Sequence, residues 1–273
     1  MKTRWLMGAA AAALTVAGAV SAQAADLPTR KEAPAPVFVP PPFTWTGFYV
    51  GLNAGGVWST GSATSTLWYA GFPILATYYP NGAFGNSNTG FIGGGQAGYN
   101  WQTGAFVLGV ETDFDWTSLN RNKTFVGPTF VDANGFNDFL TVNGSTKLNW
   151  LGTTRARVGF VATPDNRLMF YGTGGFAYGG GNSHLNVYDI NNGWLWYSSR
   201  DNTRTGWTIG GGVEYAFTNN ITVRGEYLYY NLGSENIVTA ANVAAATVWP
   251  GVYASTKVNF DGSILRAGIN YKF

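Results

Sequence analysis

The chain has 273 residues, a formal net charge of +2 and no cysteine. Charged residues make up 11% and aromatics 16%, against about 25% charged in a typical soluble domain. This composition excludes disulfide staples and thiolate chemistry, and its near-neutrality argues against a nucleic-acid partner, which demands a basic patch.

Residues 1–24 read as a secretory signal peptide. Lys2 and Arg4 form the positive n-region, Leu6 to Val20 the apolar region, and Ala22-Gln23-Ala24 the small-residue cleavage site. Cleavage there removes Lys2 and Arg4, and so leaves 14 basic residues against 14 acidic ones. No later run of about 20 apolar residues offers a membrane-spanning helix. Residues 25–42 carry Pro28, Pro34, Pro36 and Pro40 to Pro42, which predicts a stiff extended tether without a core.

From residue 43 to 273 the pattern has a period of two, and eight segments follow it. Gly47 to Trp58 sets Phe48, Val50, Leu52 and Ala54 against Tyr49 and Asn53. Gly90 to Trp101 sets Phe91, Ala97, Tyr99 and Trp101 against Gln96 and Asn100. The third sets Phe106, Leu108, Val110, Thr112, Phe114 and Trp116 against Gly109, Glu111, Asp113 and Asp115. In the fourth, Leu148, Trp150, Ala156, Val158 and Phe160 oppose Lys147, Asn149, Arg155 and Arg157. The fifth, Arg167 to Tyr178, looks apolar on both faces because of Met169 and Tyr171. The sixth opposes Trp207, Ile209, Val213, Tyr215 and Phe217 to Thr208 and Glu214. The seventh opposes Ile221, Val223, Tyr227 and Tyr229 to Thr222, Arg224 and Glu226. In the last, Leu265, Ala267, Ile269, Tyr271 and Phe273 oppose Arg266, Asn270 and Lys272. Each runs for about 10 to 14 residues, enough for a tilted strand to cross a bilayer. Pro73, Pro80, Pro128, Pro164 and Pro250 all fall between these segments, as a residue without an N–H must.

The connections alternate in length. Tight turns of about 3 to 6 residues are expected at 102–105, 161–166 and 218–220. Long loops of roughly 22 to 31 residues, rich in Gly, Asn, Ser and Thr, are expected near 59–89, 117–146, 180–204 and 233–256. The fold class is therefore all-β: an eight-stranded antiparallel transmembrane β-barrel with short turns on one side and long extracellular loops on the other. A soluble up-and-down barrel alternates in the same way. The aromatics Trp58, Trp101, Trp116, Trp150, Trp207, Tyr215 and Tyr271 near strand ends favour lipid outside, since Trp and Tyr collect at both membrane interfaces.

With lipid outside, the polar face lines a narrow lumen. There Glu111, Asp113, Asp115, Arg155, Arg157, Glu214, Arg224, Glu226 and Arg266 must pair, because an unpaired buried charge is costly. Acids of the third segment sit beside bases of the fourth, and Glu214 lies opposite or one step from Arg224 across a tight turn. This set reads as a salt-bridged plug, with a cation-selective constriction as the alternative. Gly51, Gly94, Gly98 and Gly109 read as relief of crowding in the same lumen.

The final strand, with Gly268, Tyr271 and Phe273, resembles the insertion signal that the barrel-assembly machinery reads on its client proteins. Further matching pieces span the chain: Ala25 to Pro28, Trp45 to Gly51, Gly98 to Trp101, Gly211 to Ala216, Glu226 to Tyr230 and Asn270 to Phe273. Together they resemble the small porin-like outer-membrane β-barrels of alphaproteobacteria, a family that includes immunogenic surface antigens and haemin-binding barrels. The resemblance implies export to the bacterial outer membrane, a tether in the periplasm, and outer-membrane lipid and lipopolysaccharide as surroundings.

Candidate chemistry is sparse. The single histidine, His184, falls in an expected loop and reads as solvated before it reads as a haem or metal ligand. With no histidine in any predicted strand, a histidine-dependent hydrolase site is excluded from the barrel face. Gly93 to Gly95 and Gly210 to Gly212 lie inside strands with no helix following, so they are not phosphate loops. The loop aromatics Trp68, Tyr69, Tyr78, Tyr79, Trp194, Trp196 and Tyr197 are expected to pack loops together rather than form an adhesive surface. No cofactor and no catalytic residue is expected. The leading functional expectation is a non-enzymatic barrel for envelope integrity that presents surface loops; a small-solute channel and a loop-borne receptor or adhesin, with haemin as one ligand, are the alternatives.

Overall fold

The computed structural model describes residues 42–69, 71–79, 89–131, 137–189 and 192–273. The signal peptide expected at 1–24, and the tether up to residue 41, lie outside the described residues. The strands are β1 (Gly47–Ser59), β2 (Ala63–Tyr69), β3 (Phe72–Tyr79), β4 (Thr89–Thr103), β5 (Phe106–Val131) and β6 (Asn137–Val161). They continue with β7 (Leu168–Asp189), β8 (Trp194–Ala216), β9 (Ile221–Val238) and the short β10 (Ala240–Ala241). A single-turn helix α1 (Val243–Val248) precedes β11 (Val252–Lys272).

Antiparallel pairing runs β1-β4-β5-β6-β7-β8-β9-β11, and β11 pairs back onto β1 from Tyr49↔Lys272 to Ser59↔Gly262. The ring is closed, so the eight strands that form it leave no edge in the membrane-spanning part. The expected period of two sets the faces. Phe48, Val50 and Leu52 point outward on β1 while Tyr49 and Asn53 are buried. On β11, Leu265, Ile269, Tyr271 and Phe273 point outward while Arg266 and Asn270 are buried. The ambiguous fifth segment resolves the same way, with Met169 and Tyr171 in the lumen and Phe170 and Phe176 outside.

One end of the ring is closed by tight turns. Gly104 takes the left-handed conformation that a two-residue turn needs (φ 59°), and Asn166 does so in the 162–167 turn (φ 60°), where a short polar side chain tolerates it. The Thr163 hydroxyl accepts from the backbone N–H groups of Arg167 and Leu168 at 3.2 and 3.1 Å, fixing that turn.

The other end differs from expectation. The segments predicted as long loops are largely strand: β5, β6, β7 and β8 run 22 to 26 residues and continue the sheet well past the outward apolar band. Pro73 and Pro128, expected between strands, therefore stand in β3 and β5, each where the pairing shifts register. After a break at 60–62, β2 resumes pairing along β11, from Val258↔Ala63 to Val252↔Tyr69, and β3 folds back on β2. The physical reason is alternation carried by small polar residues: Ser183, Leu185 and Val187 are buried on β7 while His184 and Asn186 are exposed. His184 therefore stands in a strand and not in a loop.

A second correction concerns β6. Its pairing shifts against β5 between Trp116 and Leu119, and against β7 between Thr146 and Trp150. The irregularity turns Leu148 into the interior and Lys147 and Asn149 outward, the reverse of the sequence assignment. Lys147 is thus no part of the lumen.

A plugged lumen as the candidate functional site

The lumen is filled in layers. At the turn end, Phe43 and Trp45 fold into the mouth in edge-to-face contact at 5.0 Å, against Val107, Val161, Met169, Tyr171 and Ala216. The Trp45 backbone N–H donates to Gln102 Oε1 at 2.8 Å, which anchors this stretch on β4.

Above it lies the charge layer, which gathers Glu111, Asp113, Asp115, Arg155, Arg157, Glu214, Arg224, Glu226 and Arg266, while Lys147 stands outside it. Arg155 on β6 donates through Nη2 to Glu111 Oε1 (2.6 Å) and Asp113 Oδ2 (2.8 Å), and through Nη1 to Glu226 Oε1 (2.9 Å). Arg266 on β11 bridges Asp113 Oδ2 (2.8 Å), Asp115 Oδ2 (2.6 Å) and Glu226 Oε2 (2.7 Å). Arg157 reaches Glu214 Oε2 at 2.7 Å and Glu111 Oε2 at 3.5 Å, and Arg224 pairs with Glu111. All of these side chains are 3% accessible or less.

Geometry explains why the cations are arginines. A planar guanidinium presents several fixed donors and can hold two or three carboxylates at once, whereas an ammonium is a compact point charge. The ties also cross the barrel. Asp113 and Asp115 stand on β5, three places around the ring from β11, yet Arg266 joins them. The network therefore braces opposite walls as well as neighbouring strands.

Neutral groups that the sequence reading did not single out complete it. The Tyr49 hydroxyl donates to Glu111 Oε2 at 2.6 Å and accepts from Arg157 Nη1 at 3.0 Å. The Tyr171 hydroxyl donates to Glu226 Oε1 at 3.0 Å, and its ring lies 4.0 Å from the Arg157 guanidinium carbon. Thr153 donates to Asp113 (2.8 Å), and Thr222 and Asn270 donate to Glu214 (2.6 and 2.8 Å). An amide chain continues from Asn270, which accepts from Gln96 Nε2 at 2.7 Å, to Asn53, which donates to Gln96 Oε1 at 2.7 Å. Most were marked only by their place on the polar face of an alternating strand, whereas Tyr171 stood on a face that read as apolar.

Two sequence expectations need refinement here. Glu214 does stand directly opposite Arg224 in the β8–β9 register, but its ion pair is with Arg157. The glycine reading holds: a Cβ on Gly98 would collide with the Tyr49 ring and hydroxyl, and one on Gly109 with Asn100 Oδ1. On the terminal strand, Gly268 pairs with Arg224 at the level of the charge layer, while Tyr271 and Phe273 face outward with their rings in edge contact at 5.2 Å.

An apolar layer seals the lumen above the charges, built from Val57, Ile92, Leu119, Leu151, Leu228 and Ile264 among others. Higher still, Arg204 pairs with Glu235 at the mouth and stacks on Phe260, 3.7 Å from the ring centroid. Arg121 donates to Ser59 Oγ at 2.9 Å on the same level. The top is covered by α1, whose Ala245 packs on Val187, Trp196, Val252 and Ala254. Asn242 caps that turn by accepting from the Ala245 N–H at 2.8 Å, and Trp196 Nε1 donates to Val252 O at 2.9 Å. Of the loop aromatics, Trp68 stacks on Tyr253 (6.3 Å), Trp194 meets Trp249 edge-on (5.8 Å) and Trp196 is buried, so these do pack; Tyr69 and Tyr197 stay exposed. Among the described residues no cluster of three or more His, Asp or Glu side chains is arranged to hold a metal ion.

The chain is similar to the 31 kDa outer-membrane immunogenic protein of Brucella melitensis biotype 1, with 40% identity over 93% of this chain and 95% of that one. It is also similar to the 25 kDa outer-membrane immunogenic protein of Brucella abortus biovar 1, with 30% identity over the full length of both. The crystal structure of the outer membrane protein OprG from Pseudomonas aeruginosa superposes with a TM-score of 0.46, at 11% identity over 85% of this chain and 98% of that one. A family model described as the outer membrane protein beta-barrel domain matches residues 10–273. The chain therefore belongs to the outer membrane protein β-barrel domain family, and its outward apolar band faces the lipid of the outer membrane.

Proposed function

We propose that the protein is a non-enzymatic, non-conducting barrel that strengthens the envelope and carries an extended β-wall outside the membrane. The observation that carries this reading is the lumen itself. Charges of both signs meet across it in side chains that are at most 3% accessible, and apolar layers close it above and below. A conducting pore would need a polar path lined by hydrated side chains, and a catalytic site would need a nucleophile or acid–base pair open to substrate. The word "immunogenic" in the relatives' names supports exposure of the wall at the cell surface.

The test is single-channel recording of the purified, refolded protein in planar bilayers. No steady open level is expected. A reproducible open level that persists at constant voltage would overturn the plugged reading in favour of the small-solute channel.

A further inference from the structure

The outward face of the wall above the membrane carries a feature that the plugged barrel does not use. Below the β6 irregularity, outward positions are apolar and end in the row of Trp116 paired with Trp150. Above it they change to amides and hydroxyls. Asn122 pairs with Ser145, which pairs with His184, and Thr124 pairs with Asn143, which pairs with Asn186. Cross-strand neighbours on one face form continuous rows, so the three strands present a ladder of short polar groups. With Asn120, these residues line an open cavity of about 840 Å³.

Its chemistry is specific. The lining side chains are uncharged amides and hydroxyls plus one imidazole, with both donors and acceptors available. Three amide oxygens on this face, those of Asn120, Asn143 and Asn182, have no hydrogen-bond donor among the described residues. Shielded polar atoms left in that state are costly. An amide can exchange its oxygen and its NH2 by a half-turn, and a ligand rich in hydroxyl groups can supply the donor that these oxygens lack; Asn143 donates through Nδ2 to the Tyr188 hydroxyl at 3.4 Å. Tyr197, exposed and paired with Asn186 on the next strand, adds a flat apolar surface with a polar edge. Lys147, exposed and paired with Asn120, places a cation at the membrane side of the groove.

The height selects the ligand. Asn122 lies six residues beyond Trp116, roughly 20 Å along a strand at about 3.3 Å per residue, and strands of such barrels tilt by about 40°. The groove thus begins just outside the interfacial aromatics, where the outer leaflet presents sugar rather than acyl chain. We infer that the outward face of β5, β6 and β7 above the aromatic row is a saccharide-binding groove, and that its occupant is the core oligosaccharide of the lipopolysaccharide surrounding the barrel. Asn120, Asn122, Asn143, Ser145, His184 and Asn186 supply the polar contacts, and Lys147 meets the phosphorylated inner end.

The experiment titrates the full refolded barrel in detergent with delipidated core oligosaccharide, and separately with lipid A lacking core sugar. Saturable binding of the oligosaccharide is expected. It should weaken about tenfold or more in the combined Asn120→Ala, Asn143→Ala, His184→Ala variant, with lipid A binding unchanged. Because that variant removes several strand side chains, a second one, Asn186→Trp, fills the groove from an exposed position and should block the oligosaccharide while keeping the heat-dependent gel shift of a folded barrel. Absence of oligosaccharide binding, or equal binding by wild type and Asn186→Trp, would overturn the proposal. Loss of lipid A binding alone would assign the contact to the acyl surface instead, and overturn it equally.

Discussion

Two charged clusters occupy the same interior and differ in how they are held. In the lower one, each carboxylate meets at least one arginine, and Tyr49, Tyr171, Thr153, Thr222 and Asn270 fill remaining lone pairs. In the upper one, Arg204 and Glu235 form a single pair, and the Glu235 side chain is 15% accessible. The lower cluster lies at membrane height behind apolar seals; the upper lies near the mouth with Phe260 beneath it. The contrast shows what a charge requires where water is excluded: a shared network in which every carboxylate meets an arginine. Near water, one ion pair suffices, helped by neutral hydrogen bonds from Asn202 to Glu235 and from Arg204 to Ser183 and by one aromatic face.

The largest test of that contrast is Arg155→Ala. It strips the shared cation from Glu111, Asp113 and Glu226 at once, leaving buried carboxylates short of a partner. Losing one member of a buried ion network typically costs about 3–5 kcal/mol. The urea midpoint for unfolding from detergent micelles should fall accordingly, and an unchanged midpoint would show that the network contributes specificity without stability. Arg155→Lys should recover little of the loss, since one ammonium cannot reproduce contacts made from two guanidinium nitrogens to three carboxylates.

A smaller break comes from the space around the network. Gly98 sits where a Cβ would press on the Tyr49 ring, and Tyr49 is held between Glu111 and Arg157. Gly98→Val overpacks that point, for a cost of about 1–3 kcal/mol. The same change at Gly56, where a Cβ meets nothing within 4 Å, should leave the urea midpoint nearly unmoved. Equal effects at both positions would mean that strand propensity, and not lumen crowding, explains the glycines.

How far the sequence announces this molecule follows from which signals are local. The period of two in Phe48 to Ala54 and in Leu265 to Phe273 already sorts lipid face from lumen, and closure of β11 on β1 follows from needing no free edge. The membership of the charge layer is legible too, Lys147 excepted, because a charge in mid-strand opposite an apolar face belongs in the lumen wherever the pairing is regular. Its wiring is not. Glu214 is opposite Arg224 along the sheet yet bonds Arg157 from two strands away, since long side chains in a narrow barrel meet across the lumen. The β6 irregularity was hidden for a different reason: Leu148 and Trp150 are two residues apart and look in phase, and only pairing with β5 and β7 reveals that they face opposite ways. The outer wall was missed because Gly, Asn, Ser and Thr read as loop. Ser183, Leu185 and Val187 alternating with His184 and Asn186 was the signal that could have found it.

The smallest expected effect is at the upper pair. Glu235→Gln removes the charge that faces Arg204 but keeps an acceptor for it, and Phe260 still lies 3.7 Å below the guanidinium. A partly exposed pair of this kind contributes about 1 kcal/mol or less, and water at the mouth can solvate Arg204 in its place. The urea midpoint should therefore shift slightly, and what shift there is should shrink at 1 M salt, where charges are screened within about 3 Å. The loss in Arg155→Ala should persist in the same salt, because ions do not reach a network enclosed by apolar layers. Equal salt sensitivity in the two variants would mean that water and ions enter the lower cluster, which would count against the closed lumen and the contrast drawn from it.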